Sequence, residues 1–323
     1  MVKRNWCPPE AEKAFFEVSK VPLYFKTPEG KERRAKNYYG ICDTANGKIL
    51  SAVSNGYKIV SNLDAFLGAE MIVREVFRDI RLKNMQFFNL YLPWTRSFMR
   101  LDLVCPGTKI SPFENDPWTA FLRITNSYNR LYALSYEIGF CRWICQNGMI
   151  YGSKSIKVSF DHCDRIDLDA GHIRARLGQI RDIESEFSLR LHEMRDFPIP
   201  RESVPEIFFS VFPMQTGKDP GALSSIRQER ICRRKQQIQQ LAESYTAEMG
   251  CNAYAMLNIL TDFATFPEPG SGRGNPLSGF YQKRIGKWMD EFGSKVIKGG
   301  MSLHKFIPPE ARETAEMVMK AGS

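Results

Sequence analysis

Residues 119–152, TAFLRITNSYNRLYALSYEIGFCRWICQNGMIYG, decide how the rest of the chain is read. Phe121 and Ile124, then Leu131, Ala133 and Ser135, sit among β-branched and aromatic neighbours on either side of the turn-forming run Asn126-Ser127-Tyr128-Asn129. The pattern predicts strand, turn and strand. It passes into Cys141-Arg142-Trp143-Ile144-Cys145-Gln146-Asn147-Gly148, where Asn-Gly signals a further turn. Arg142 stands between apolar residues, so it must either reach solvent or find a buried partner.

Towards the N-terminus the same strand character continues. After a short tail and a weak helix in EAEKAFFEVSK, residues 21–26 and 36–42 read as strands separated by the charged turn TPEGKERR. Asp43-Thr44-Ala45-Asn46-Gly47 predicts a hairpin into a strand over 49–53, and Tyr57–Val60 reads as another short strand. Ser61 or Asn62 caps a helix to about Phe77, with Phe66, Met71, Val73, Val76 and Phe77 as its apolar stripe. Strands over 85–92, 97–104 and 155–160 complete this part.

From Asp169 the period changes. Ile173, Leu177, Ile180, Phe187, Leu191 and Met194 recur at helical spacing. A helix over 204–211, a long one over 222–249 ended by Gly250, and further helices over 252–266, about 281–296 and 308–318 follow. The fold class is therefore α+β: a strand-rich, largely antiparallel part over 1–168 with one packed helix, and a helical part over 169–323. The same pattern is compatible with one compact domain.

The chain has 323 residues, 43% hydrophobic and 12% aromatic, and a net charge of +9. That composition excludes a disordered chain, and the charge favours an anionic partner, nucleic acid first. No run approaches the roughly 18 apolar residues of a membrane span. The opening MVKRNWCPPEAEK lacks the apolar core of a secretory leader, so a cytoplasmic protein with reduced thiols is expected.

Basic residues concentrate on the long helix, at Arg227, Arg230, Arg233, Arg234 and Lys235. Ile231, Ile238, Leu241 and Tyr245 share one face, and Arg227 and Arg234 project along it, where a fully packed helix would carry apolar residues. The first half of this helix is expected to line a groove or to extend beyond the core. No paired-carboxylate, Gly-x-Ser-x-Gly, P-loop or His-Glu-x-x-His pattern occurs, so neither catalysis nor a cofactor is expected. Cys141, Cys145, His162 and Cys163 are zinc-type donors, but their spacing on an extended segment fits tetrahedral ligation poorly, and no metal is expected. Asp161, Asp164, Asp167 and Asp169 read as a solvated acidic loop, with a metal-dependent nuclease as a minor reading.

Four segments carry a resemblance: SNGYKIVSNLDAF, TNSYNRLYAL, CRWICQNGMIYG and CNAYAMLNILTDFA. Together they resemble the phage- and plasmid-like family known as domain of unknown function 932. Its motif positions correspond here to Tyr57, Asn62, Asn126, Ser127, Arg142, Cys145, Asn147, Gly148, Asn258 and Thr261, with Asn252 and Tyr254 on the same polar run. The family's His-x-Gly is replaced by His162-Cys163-Asp164. The resemblance implies a mobile-element setting, near recombination and anti-defence functions, and no particular mechanism.

These readings combine into a non-enzymatic DNA-binding protein, concerned with single-stranded DNA or its annealing. Arg227, Arg230, Arg233, Arg234, Lys235 and Arg142 are the candidate phosphate contacts, with Trp143 and Tyr254 as candidate stacking rings. DNA is preferred to RNA as the partner. The alternative is an anti-defence protein that binds a host protein. Homo-oligomerisation stays open, and no membrane association is expected.

Overall fold

The computed structural model describes residues 8–77, 80–110, 113–143, 147–150, 157–162, 180–214, 224–266 and 276–321. A short helix, α1 (Pro9–Glu12), leads into β1 (Val18–Lys26), β2 (Glu32–Asp43) and β3 (Lys48–Ser54), which form an antiparallel sheet in the order β1-β2-β3. Its β2–β3 turn is built by Asp43. One carboxylate oxygen accepts the Ala45 N–H and the other the Asn46 side chain, while Gly47 takes a φ of 70°. Arg96 neutralises this buried carboxylate at 2.5 Å. Ile41, Val53, Tyr57 and Tyr128 form the core against the sheet, with Phe16, Val18, Leu50 and Ile59 around them.

Helix α2 (Asn62–Val76) follows, and its N-cap Ser61 accepts the Asp64 N–H at 2.9 Å. The helix buries Ala65, Phe66, Ala69, Ile72, Val73 and Val76. Met71, expected on that stripe, is half-exposed, and Ile72 takes the core position instead.

A second sheet runs β4 (Gln86–Tyr91), β5 (Phe98–Ile110), β6 (Trp118–Ser127), β7 (Leu134–Arg142) and β8 (Gly148–Met149) in order, with β9 (Lys157–Phe160) antiparallel to β7. Every residue of β6 and β7 is buried, so these strands are covered on both faces. This is why they read as near-continuous apolar runs. The arginine that this burial traps on β6, Arg123, meets Asp102 of β5 in a two-bond fork at 2.7 and 2.6 Å.

Two local expectations change. Leu131 is 64% exposed and β7 begins only at Leu134, because the turn is longer than its Asn-Ser signal implies. Arg130 takes a φ of 63°, Asn129 Oδ1 accepts the Leu131 N–H, and the Ser127 hydroxyl bridges to the Tyr132 backbone. Tyr57–Val60 forms no strand. Its backbone groups are taken elsewhere: Lys58 N–H donates to His162 O, and Val60 O accepts from the Asn126 amide.

The later chain is helical: α3 (Ile180–Asp196), α4 (Ser203–Val211), α5 (Ser225–Met249), α6 (Ala253–Thr265), α7 (Pro276–Glu291), a π-helical stretch (Phe292–Lys298), α8 (Leu303–Phe306) and α9 (Pro309–Lys320). The architecture is α+β. All of α6 except Asp262 is buried, so it is the central element of the helical part. Gly293, in the π-helical stretch, has no Cβ because the buried Arg190 guanidinium from α3 lies against it. Among the described residues no helix is long and apolar enough to cross a membrane.

The chain divides into two compact units that are not contiguous in sequence. One comprises residues 1–109, 119–140 and 155–182, and the other 110–118, 141–154 and 183–323.

Candidate nucleic-acid interface

Helix α5 is 25 residues long, free of Gly and Pro, and stops at Gly250, whose φ of 81° cannot continue it. Its buried residues are Ile231, Ile238, Ala242 and Tyr245, all after the first turn and a half. Residues 224–230 are exposed throughout. The apolar stripe thus begins late, and where it would start earlier the chain places Arg227 and Arg230.

These two arginines and Arg234 line a groove of about 400 Å³ together with Phe212, Pro213, Met214, Phe263, Leu277 and Tyr281. The floor is aromatic: the Phe212 ring centroid lies 4.7 Å from Phe263 and 4.8 Å from Tyr281. Arg234 is half-buried, its guanidinium carbon 4.3 Å from the Phe263 centroid and 6.0 Å from that of Phe208. A cation over a ring in this partly dry position is stabilised by about 1 kcal/mol or more. Gln237 Oε1 accepts from Arg234 Nη1 at 3.2 Å and holds the planar group in place. Among the described residues that line the groove none is acidic. Three positive charges therefore line a cleft with aromatic walls, a combination suited to a phosphate with an attached base.

The other two basic residues of the cluster turn elsewhere. Arg233 is exposed and pairs with Glu229 one turn back. Lys235 donates from Nζ to Ala321 O at 2.8 Å, so its charge is used to close the end of α9. Only Arg227, Arg230 and Arg234 come together.

Arg142 and Trp143 do not join that groove's lining. Arg142 is 3% exposed, donating from Nε to Asp116 at 2.5 Å and from Nη2 to Glu248 at 2.8 Å. Burial alone would lower its pKa, but the hydrogen bonds that it donates to these two carboxylates outweigh it and hold the guanidinium firmly protonated. As a buried and already neutralised cation it is a structural tie rather than a phosphate contact. Trp143 is half-buried, its backbone N–H donating to Pro117 O.

Around Arg142 lies a polar network. Tyr254 donates its hydroxyl to the second oxygen of Asp116 at 2.5 Å and accepts from the Trp118 indole at 3.0 Å. Burial, then the neighbouring Asp116 charge, raises the Tyr254 pKa, so the phenol stays a neutral donor. It is therefore unavailable for stacking. Asn147 donates to the Tyr245 hydroxyl at 3.0 Å, and Tyr245 in turn to Asp262 at 2.8 Å. Asn252 caps α6 by accepting the Ala255 N–H, and donates to Met249 O. Asn258 donates to Tyr254 O, and Thr261 to Asn258 O, both within α6. The side-chain oxygens of Asn147 and Asn258 are buried without a hydrogen-bond partner.

Tyr57, Asn62 and Asn126 form a separate network in the strand-rich unit. Tyr57 donates to Ser127 O at 2.7 Å and stacks on the His162 ring at 4.8 Å. Asn126 donates to Asn62 Oδ1 at 2.9 Å, and Asn62 to Ala14 O at 2.9 Å. Both sets of motif residues are thus engaged in hydrogen bonds with other residues of the chain. Cys145, Cys163, Asp164, Asp167 and Asp169 lie outside the described residues, and with them half of the zinc-type set and most of the acidic loop.

Sequence reasoning did not single out Asp116, Trp118 or Glu248, nor the groove rings Phe212, Phe263 and Tyr281. The closeness of Phe208, Phe209 and Phe212 was the signal available for the aromatic floor. Comparison with curated proteins and with solved structures gives no match. The model of one family, described as Domain of unknown function (DUF932), matches residues 49–266, more than half of the chain, and the protein belongs to that family.

Proposed function

We propose that this chain is a DNA-binding protein without catalytic activity, and that single-stranded DNA is its ligand. It would serve recombination or annealing in a mobile genetic element, in the cytoplasm. The observation that carries the reading is the groove in which Arg227, Arg230 and Arg234 face Phe212, Phe263 and Tyr281. Cations supply attraction to the backbone, with counterion release, while rings accept any base by its π-face. A net charge of +9 adds long-range steering.

The test is a salt titration by fluorescence anisotropy with a labelled oligothymidylate and a duplex of the same length. Micromolar or tighter binding to the single strand is expected. Each phosphate contact contributes a slope of about −0.7 in log K against log salt, so Arg227→Glu/Arg230→Glu should flatten the slope by about 1.4. Arg233→Glu should leave it unchanged. No binding at low salt would overturn the reading. Host partners that survive nuclease treatment of a lysate would favour a protein-binding role in its place.

A further inference from the structure

We propose that the β1–β2 hairpin is a second nucleic-acid-binding element, whose row Lys20, Tyr39, Arg34 and Tyr24 receives single-stranded nucleic acid. The proposal rests on the reading that the ligand is a nucleic acid, but not on the groove beside α5.

Between Val18 and Tyr39 the chain carries six basic residues, Lys20, Lys26, Lys31, Arg33, Arg34 and Lys36, against two acidic ones, Glu29 and Glu32. All eight are exposed. Three large rings are exposed with them: Tyr24 at 57%, Phe25 at 52% and Tyr38 at 56%. The hairpin is well formed, since Thr27 N–H donates to Lys31 O and Gly30, with a φ of 79°, turns the chain. Exposed rings on an ordered, cationic hairpin are therefore not the by-product of a loose loop.

The register puts cations and rings in one row. Tyr24 is directly opposite Arg34, so the two share a face. Arg34 donates to the Tyr39 hydroxyl at 3.4 Å, with its guanidinium carbon 5.8 Å from that ring's centroid. Lys20 Nζ lies 5.9 Å from the same centroid and donates to Asn55 O at 2.9 Å. The order is cation, ring, cation, ring. These cation–ring distances are near the outer limit of about 6 Å, and the hydrogen-bond acceptors, Asn55 O and the Tyr39 hydroxyl, are neutral, so the charges remain available to an anion. Interleaved charge and ring fits a strand whose phosphates and bases alternate. A membrane surface would call for rings on one face and cations on the other. The hairpin lies before residues 49–266, the segment that the family model matches.

The experiment compares binding of labelled oligothymidylate to the full chain, to Tyr24→Ala/Arg34→Glu and to Arg227→Glu/Arg230→Glu. Both hairpin positions are exposed, and near-ultraviolet circular dichroism checks that the fold is kept. About tenfold weaker binding by the hairpin variant supports the proposal. Unchanged binding by that variant, with loss in the α5 variant, overturns the hairpin and leaves the groove reading intact. The reverse pattern supports the hairpin and removes the groove. Absence of binding by the unmodified chain removes both. On the unmodified chain, bound oligothymidylate should also shield Lys20 and Lys26 from acetylation, read by mass spectrometry, and full reactivity would overturn the proposal. A variant that loses affinity for phosphatidylserine vesicles but not for DNA would likewise overturn it.

Discussion

Replacing Arg142 with Met separates the two contributions that this residue makes. The substitution keeps an unbranched apolar stem and removes the guanidinium, leaving Asp116 with the Tyr254 hydroxyl as its remaining side-chain donor. The Asp116 side chain is only 12% exposed, so an uncompensated carboxylate is left largely out of water. Such a loss costs about 3 kcal/mol. Glu248, the other partner, has a side chain that is 53% exposed, and water takes over its solvation. Glu248→Gln should therefore cost under about 1 kcal/mol. In urea, followed by tryptophan fluorescence, Arg142→Met should lower the midpoint by about 1.5 M at a slope of about 2 kcal/mol/M. Trp118 reports directly, because its indole bonds to Tyr254 in the same cluster. Arg142→Met/Asp116→Asn removes the stranded charge and should recover at least about 1 kcal/mol. The reasoning is refuted if the double variant is strictly additive, or if Glu248→Gln costs as much as Arg142→Met.

Three further outcomes follow from single contacts. Asn252→Ala removes the cap of α6 and the bond to Met249 O, and should cost about 1 kcal/mol by urea midpoint, while Asn252→Asp retains most of the cap; equal losses in the two would argue against it. Burial lowers the pKa of His162, opposed by donation from Nδ1–H to Lys58 O. The fold thus keeps the ring neutral, so its stability is complete above the ordinary value of 6.5 and declines as pH falls below it. His162→Phe keeps the stack on Tyr57 and should flatten the stability profile below about pH 6.5; an unaltered slope would count against this role. Gly293→Ala places a methyl in the space of the Arg190 guanidinium, whose partner is Glu193 at 2.7 Å, and should cost about 1–3 kcal/mol in thermal or urea unfolding.

What could be read in advance had local causes. The Asp43–Gly47 turn, the Ser61 cap and the stop at Gly250 each depend on one or two adjacent residues, and each stands where the chain implied. The late start of the apolar stripe on α5 also marked the groove, because Arg227 and Arg234 occupy positions that Ile231 and Ile238 would continue. The fate of Arg142 was open for a physical reason: whether a cation is solvated or paired depends on Asp116 and Glu248, which no short window contains. The π-helical stretch after α7 reads as uninterrupted helix in the sequence, since Phe292 and Val296 keep an ordinary spacing. Lys235 shows the limit of charge counting. It belongs to the basic run by sequence and to the carbonyl of Ala321, at the end of α9, by contact.

The interleaving of the two compact units has a consequence for synthesis. Asp116 and Tyr254 are separated by 138 positions. At a ribosomal rate of 5–20 residues per second, the carboxylate emerges on the order of ten seconds before the hydroxyl that completes its site. Asp116, Arg142 and Asn147 must wait until α5 and α6 arrive. A fragment that starts at residue 183 would have Tyr254, Tyr245 and Glu248 but no Asp116, Asn147 or Arg142 for them to meet. The network around Asp116 therefore closes only once residues 245–254 have emerged, and slow synthesis of residues 225–265 would prolong the interval in which the earlier chain is open to proteases and chaperones.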